Sequence, residues 1–396
     1  MTSTVEPPLS YPFNRFDGLE LSEQYTRALS RTGLTRITLP FDGDAWLATR
    51  YEDVRLVLSD RRLSRAEATQ RERVPRAFPR VAGGIVIMDP PELTRLRKLA
   101  LQAFTVRRVE GLRPHVREVA DGLIDDMLRR GAPADLVADY ALPIPMSVIC
   151  QLLGVPLADQ PRFKIWNDSL LSTNALSAEE TQKNLGELSQ YIMGLINERR
   201  EQPRDDLISA MIQARDQDDR LSQGELVLLC IAILVAGYEG VSSHIPNFLY
   251  TLLSQPETLD RLRSDPARIA DAVEELLRLI PLASAAMFVH FAREDVQVGD
   301  TLVRAGEAVF ASVGAANRDP RRFPRPDRLD IDRDASGHFA FGHGMHHCIG
   351  AGLARVELQE ALGALLRRFP EIHIRGEIEW KTKTFFRGPL RMPVAW

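Results

Sequence analysis

The feature that most limits what this chain can fold into is residues 222–256, "SQGELVLLCIAILVAGYEGVSSHIPNFLYTLLSQP". Ser222 and Glu225 have capping-box spacing, and helix-forming character then continues for roughly thirty residues, against an ordinary helix length of ~12. The apolar stretch ends at Gly237, short of the ~20 residues that a membrane span needs. The segment therefore predicts a helix through the middle of a large helical body.

The surrounding segments extend that body. From about 157 to 280 nearly every stretch has helical periodicity, with no Gly/Ser-rich linker and no internal repeat. Asp89 is expected to cap a basic amphipathic helix with Pro90 at its first position and Glu92 in its first turn. After Pro281 the texture changes. "MFVHFAREDVQVGDTLVRAGEAVFASVGAANRDP" alternates β-favouring runs with Gly and Asp turns, as hairpins do. Near the N-terminus "AWLATRY" (45–51) reads as a strand and "EDVRLVLSD" (52–60) as a helix. The expectation is a single domain over 1–396, mainly α with a smaller β-rich part. The β-rich part covers about 35–60, 283–312 and 372–396, and the helical body about 89–280 and 349–368.

The totals narrow the function class. A chain of 396 residues can enclose a sizeable cavity, and a formal charge of −4 argues against a nucleic-acid binder. "MTSTVEPPLSYPF" has no apolar core flanked by positive charge, so a cytoplasmic protein is expected. The three cysteines, Cys150, Cys230 and Cys348, are far apart and odd in number, which fits a reducing compartment without a disulfide framework.

Cys348 lies in "FGHGMHHCIG" (341–350). Zinc ligand, catalytic nucleophile, redox thiol, haem ligand and plain loop are all open for such a cysteine. Zinc would draw on His343, His346, His347 and Cys348, but structural zinc wants paired ligand spacing. A nucleophilic cysteine would need a base that the sequence cannot place, and a plain glycine turn before a helix needs nothing further. A haem-thiolate ligand explains the composition better. Glycines at 342, 344 and 350 let backbone approach a flat macrocycle, and the helix starting after Cys348 offers unpaired N–H groups and a positive dipole end to a thiolate. Phe341 can cover the sulfur, and a protonated His346 can reach a propionate.

This loop resembles the cysteine-loop signature of the cytochrome P450 family, aromatic-Gly-x-Gly-x-His-x-Cys-x-Gly, and "HFAFGHGMHHCIGAGLARVEL" is similar to its bacterial soluble (class I) members. "MDPPELTRLRKLALQAFTVRRVEGLRP", "EELLR", "AANRDPRRFPRPDRLDIDR" and "MPVAW" resemble family segments and stand in family order. The resemblance implies the P450 fold, with non-covalent haem b between the long central helix and the cysteine-loop helix. Cys348 would be the iron ligand, and Phe341, Gly342, His346, Gly350 and Ala236 would line the cofactor. Arg97 would bind a propionate. Leu93 replaces the family's familiar histidine, and His290, in place of its familiar strand arginine, would substitute as a cofactor-binding residue when protonated. Glu275 and Arg278 would form a buried structural network with Arg328.

"AGYEG" (236–240) resembles the family's oxygen-binding stretch, and the resemblance implies that this helix bulges over the haem. A helix crossing through small residues is the rival reading. Glu239 is the implied proton-relaying acid. Gly240 stands where threonine is usual, with Ser243 the nearby hydroxyl on a neighbouring part of the same face. That departure leaves two reactions open, hydroxylation and oxidative C–C or C–N coupling or cyclisation. Substrate contacts are expected from the loop about 62–88 with Ile87, from Ala236, Gly240, Ala283, Ala286 and Met287, and from Phe385 and Phe386. They suggest a moderately bulky, aromatic or cyclic-peptide natural product of secondary metabolism.

By resemblance, electrons come from a ferredoxin and its reductase, docking on Arg95, Lys98, Arg107, Arg108 and Arg113. A haem-binding sensor or carrier without turnover, and a zinc-stabilised helical protein, are the readings from other classes.

Overall fold

The computed structural model describes residues 7–15, 17–78, 83–101, 104–171, 177–218, 222–382 and 384–396. Its α-helices are α1 (Glu23–Leu29), α2 (Tyr51–Ser59), α3 (Glu92–Leu101), α4 (Val106–Arg130), α5 (Pro143–Leu153), α6 (Gln160–Leu171), α7 (Ala178–Glu201), α8 (Leu207–Asp218), α9 (Gln223–Leu253), α10 (Pro256–Ser264), α11 (Ile269–Leu279), α12 (Val313–Ala316) and α13 (Ala351–Arg368). The strands are β1 (Leu9–Ser10), β2 (Thr35–Leu39), β3 (Gly43–Ala48), β4 (Leu63–Ser64), β5 (Ala134–Asp135), β6 (Val289–Ala292), β7 (Val296–Val298), β8 (Thr301–Val303), β9 (Ala308–Ala311), β10 (His373–Ile374), β11 (Glu379–Trp380), β12 (Pro389–Arg391) and β13 (Pro393–Ala395). The chain divides into two compact units, Met1–Asp89 with Leu277–Cys348, and Pro90–Leu276 with Ile349–Trp396.

The first unit is built on a six-stranded sheet in the order β1-β2-β3-β9-β6-β4. On β2, Thr35, Ile37 and Leu39 are buried while Arg36 and Thr38 are not, the alternation of a strand with one face on a core. That core joins Ile37, Leu47 and Phe310 to Tyr11, Phe13 and Tyr25, whose rings pack edge to face. β9 pairs parallel to β3 and antiparallel to β6, setting His290 opposite Val309. β7 and β8 form the predicted hairpin.

The second unit is helical, and α9 is its axis, packed by α5, α7 and α13, with α4 against α13. Both bonds of the capping box form. The Ser222 N–H donates to Glu225 Oε2 at 2.8 Å, and the Glu225 N–H to Ser222 Oγ at 3.2 Å. By length and composition α9 is long and apolar enough to cross a membrane, contrary to the expectation from Gly237. Its most apolar 18-residue window has a mean hydropathy of 2.0, and 61% of that window is buried inside the protein. The residues after Gly237 include Val241, Ile245, Phe248, Leu249 and Leu252, so the apolar character continues past the glycines.

Three local expectations change. The strand predicted over 45–51 ends at Ala48, because Tyr51 already opens α2. Asp89 does not cap α3, which begins at Glu92. Its carboxylate is buried and accepts from Ser64 Oγ, from the Arg65 N–H at 3.2 Å and from Arg293 Nη2 at 2.8 Å. A charged donor outcompetes a cap. β5 interrupts the stretch read as helical, and its partner is β13, about 260 residues away.

Candidate functional site

The cysteine loop belongs to the first unit. Cys348 is exposed, and its N–H donates to the Phe341 carbonyl at 2.8 Å, closing the loop. Gly342 and Gly344 adopt φ of 70° and 65°. A Cβ on Gly344 would lie 2.5 Å from the Leu58 carbonyl oxygen, so the loop can rest on the end of α2 only with glycine there. Phe341, His346 and Gly350 are half-buried. The other cysteines differ in kind, since Cys150 and Cys230 are buried and burial pushes both thiols up to about 12. Among the described residues no group of three His, Cys, Asp or Glu side chains converges to hold a metal ion, so the zinc reading lacks a ligand set.

His290 sits on β6 with its Nε2 accepting from Arg65 Nε at 3.0 Å. Burial, then the Arg65 charge, then His346 hold its pKa well below the ordinary 6.5, so the ring is neutral. The cation at this place is Arg65, which follows β4. Its guanidinium is buried, donates from Nη1 to the Val86 carbonyl at 3.1 Å, and stacks over Phe288. Burial lowers its pKa to about 9, opposed by Asp89, which still leaves it charged at neutral pH. Sequence reasoning missed Arg65, whose only sign was a basic residue where a strand ends.

Arg278 is buried and donates to the carbonyls of Asn317 at 2.8 Å, Pro326 at 2.9 Å and Arg328 at 3.5 Å. Arg328 therefore takes part through its backbone, with its side chain exposed, rather than as the third charged member. Glu275, on α11, is fully buried. Ala286 is part of the first unit's core, and its N–H donates to the Tyr11 hydroxyl at 2.5 Å, whereas Ala283, Met287 and Ile87 are half-buried. Residues 79–82 of the loop 62–88 lie outside the described residues.

In the second unit α9 runs as unbroken α-helix through 236–240, so the expected bulge is absent. A Cβ on Gly237 would lie 2.8 Å from Ile149 Cδ1 of α5, which makes this glycine a helix-crossing residue, the rival reading. Ala236 is exposed and Gly240 half-buried on a helix whose neighbouring Leu234, Tyr238 and Glu239 are buried. Four residues apart, they form one bare strip.

Glu239 is buried and pairs with Lys381 Nζ, and Ser243 Oγ donates to Glu239 Oε1 at 3.4 Å. Lys381 Nζ also donates to Ser243 Oγ at 2.9 Å. The sequence singled out Glu239 and Ser243, and the structure joins them through a lysine it had not suggested. Phe385 and Phe386 sit beyond Lys381 with ring centroids 4.6 Å apart. Glu357 of α13 is an acid that sequence reasoning missed, fully buried, and burial raises its pKa well above its ordinary value.

Arg97 is half-buried on α3, and Leu93 is buried on the same helix. Of the basic residues nearby, Arg95 is tied to Glu225, Arg113 to Glu110 and Glu360, and Arg108 to Asp205 at 3.5 Å, while Lys98 and Arg107 are exposed.

Comparison with known proteins matches the Cytochrome P450 family model over residues 44–385. The chain is 48% identical to mycinamicin IV hydroxylase/epoxidase of Micromonospora griseorubida, over 99% of this chain and all of that protein. It is 47% identical to nocardicin C N-oxygenase of Nocardia uniformis subsp. tsuyamanensis, over 98% of each. The solved structure of the mixed-function P450 MycG superposes with a TM-score of 0.93 at 48% identity, covering 98% of this chain and all of that one. Signature, fold and full-length relatives agree that this chain belongs to the cytochrome P450 family, as an oxidoreductase of the bacterial class I type.

Proposed function

We propose that this P450 monooxygenase of secondary metabolism hydroxylates a moderately bulky natural product, a mycinamicin-like, aromatic or cyclic-peptide compound, with electrons from a cytoplasmic ferredoxin and its reductase. The two units work as one domain, a reading supported by a family match that runs through both. The family's cofactor is non-covalent haem b with a cysteine thiolate ligand. The residues present fit it, because an exposed thiol stands on a glycine-held loop, a buried cation lies beside His290, and α9 carries a bare strip at Ala236 and Gly240. Cys348 would ligate the iron, and Arg65 and Arg97 would face the propionates, with His290 orienting Arg65 rather than binding as a cation. When bound, the haem supplies activation of O2, and the thiolate's electron donation favours O–O cleavage.

The chain's own residues bind, shield and deliver protons. Insertion of one oxygen atom consumes O2, two electrons and two protons and releases one water, so protons must be delivered inside a site that excludes solvent. Glu239 and Ser243 are the acid and hydroxyl on α9 joined by a hydrogen bond along which a proton can pass. Ala236, Gly240, Phe385 and Phe386 shape the space for substrate. The observation that carries the reading is Cys348, the one exposed cysteine among three.

Haem-reconstituted protein should show the reduced-carbonyl absorption band of a thiolate ligand, and Cys348→Ala should abolish it. A panel of mycinamicins and of aromatic and cyclic-peptide compounds screened by shift of the haem spectrum, then by product mass, tests the rest. A gain of one oxygen supports hydroxylation. The second reading, coupling or cyclisation, is favoured by Gly240 in place of a hydroxyl residue and would appear as loss of two hydrogens.

A further inference from the structure

One face of α9 is given over to the C-terminal hairpin β11–β12. Glu239, Ser243, Asn247 and Tyr250 follow at spacings of four, four and three, and so share a side of the helix. Each meets the stretch 380–388. Tyr250 packs edge-on against Trp380 with centroids 5.4 Å apart, and Asn247 Nδ2 donates to the Arg387 carbonyl at 3.1 Å. Lys381 Nζ reaches both Glu239 Oε1 and Ser243 Oγ. Gly388 has φ of 148°, and a Cβ there would lie 2.9 Å from Asn247 Oδ1, so the stem lies closer to α9 than any side chain permits. The Lys381 N–H donates to the Gly388 carbonyl at 3.0 Å and closes the stem. The clamped stem carries Phe385 and Phe386 between Lys381 and Gly388.

Lys381 and Glu239 are each 7% exposed. Burying such a pair stabilises a fold no better than packed apolar side chains would, so stability does not explain its presence. Its place does. Gly240 removes the hydroxyl expected next to the acid, Ser243 is the hydroxyl that touches Glu239, and the ammonium donates to both oxygens at once.

We propose that Lys381 is a positioning residue for proton delivery, holding the Glu239 carboxylate and the Ser243 hydroxyl as one unit whose placement follows what occupies the loop carrying Phe385 and Phe386. The inference rests on the reading of Glu239 as the proton-relaying acid. Lys381 only holds the two groups in place, and each proton passed on through Glu239 and Ser243 is replaced from solvent, so the chain is unchanged after turnover.

The test uses the haem-loaded protein with a surrogate ferredoxin and reductase and mycinamicin IV as probe. It reads peroxide released per NADH, the rate ratio in H2O against D2O, and the probe's Kd from the haem spectrum. Lys381→Met should raise the peroxide share about fivefold and enlarge the solvent isotope effect, while Kd moves by less than about threefold; Lys381→Arg should recover most of the coupling. Because Lys381→Met strands a buried carboxylate, it is also made on Glu239→Gln, where removing the lysine should add nothing to the isotope effect. Unchanged peroxide and isotope effect in Lys381→Met would overturn the proposal. So would a weakened Kd with coupling intact, which would make Lys381 a substrate contact, or a further loss on Glu239→Gln. If the wild-type protein takes no probe, the substrate reading fails separately, and substrate-free NADH consumption decides Lys381. O2 with two electrons and two protons gives peroxide, and with four of each gives two waters. Lys381→Met should move that split toward peroxide, and an unmoved split would sink the idea.

Discussion

At the scale of single residues, the neutral histidine beside a buried guanidinium departs most from what the letters suggest. His290 stands where the family resemblance implies an arginine, and the residue type alone leaves its charge open. Its surroundings settle the matter, because burial and Arg65 both disfavour a second positive charge. The consequence has a definite sign. In the folded chain His290 titrates below 6.5, so as pH falls through 6.5 the unfolded chain takes up the proton first. Its contribution to stability is full above that pH and is lost on the acid side, at no more than ~1.4 kcal/mol per pH unit for one proton. Thermal midpoints between pH 5 and 7.5 should therefore fall more steeply for wild-type protein than for His290→Gln, which has no proton to gain. Cys348 is the opposite case, a residue whose candidacy as the haem ligand was legible because glycines, histidines and a following helix surround it in sequence, and the loop geometry requires glycine at 344.

At the scale of elements, α9 was legible in its cap and its length, which are written locally, although its apolar character runs past Gly237, where the sequence reading ended it. What its two glycines do was not. A bulge and a crossing leave the same letters, and only the position of α5 decides between them. Gly237→Ala gains about 1 kcal/mol of helix propensity and meets Ile149 at 2.8 Å, an overpacking cost of ~1–3 kcal/mol. The single variant is expected to be neutral to destabilised, and Gly237→Ala with Ile149→Val more stable than Gly237→Ala alone. Chemical denaturation of the four proteins in that cycle measures the coupling. Short strands such as β5 were illegible for a related reason, because two residues carry no periodicity and their partner β13 is remote.

At the scale of the whole molecule, charge bears on partners more than on fold. Five basic residues looked like a docking patch for an acidic carrier, but Arg95 and Arg113 are engaged by neighbouring carboxylates. Lys98 and Arg107 remain outward-facing. Reversing both, Lys98→Glu with Arg107→Glu, should raise the KM for ferredoxin about tenfold at low salt with kcat held, and the difference should shrink as ionic strength rises. Reduction rates measured across a salt series check this. Sequence alone determined the family, the helical body, the thiolate candidate and the candidate relay acid, because each is carried by a run of neighbouring residues whose spacing is itself the signal. Tertiary structure alone decided that Lys381 meets Glu239, that Arg65 supplies the charge beside His290, and that Gly237 is a crossing point. In each of these the deciding neighbour lies far along the chain, and burial at that meeting, which no local pattern encodes, sets the charge and reach of the groups.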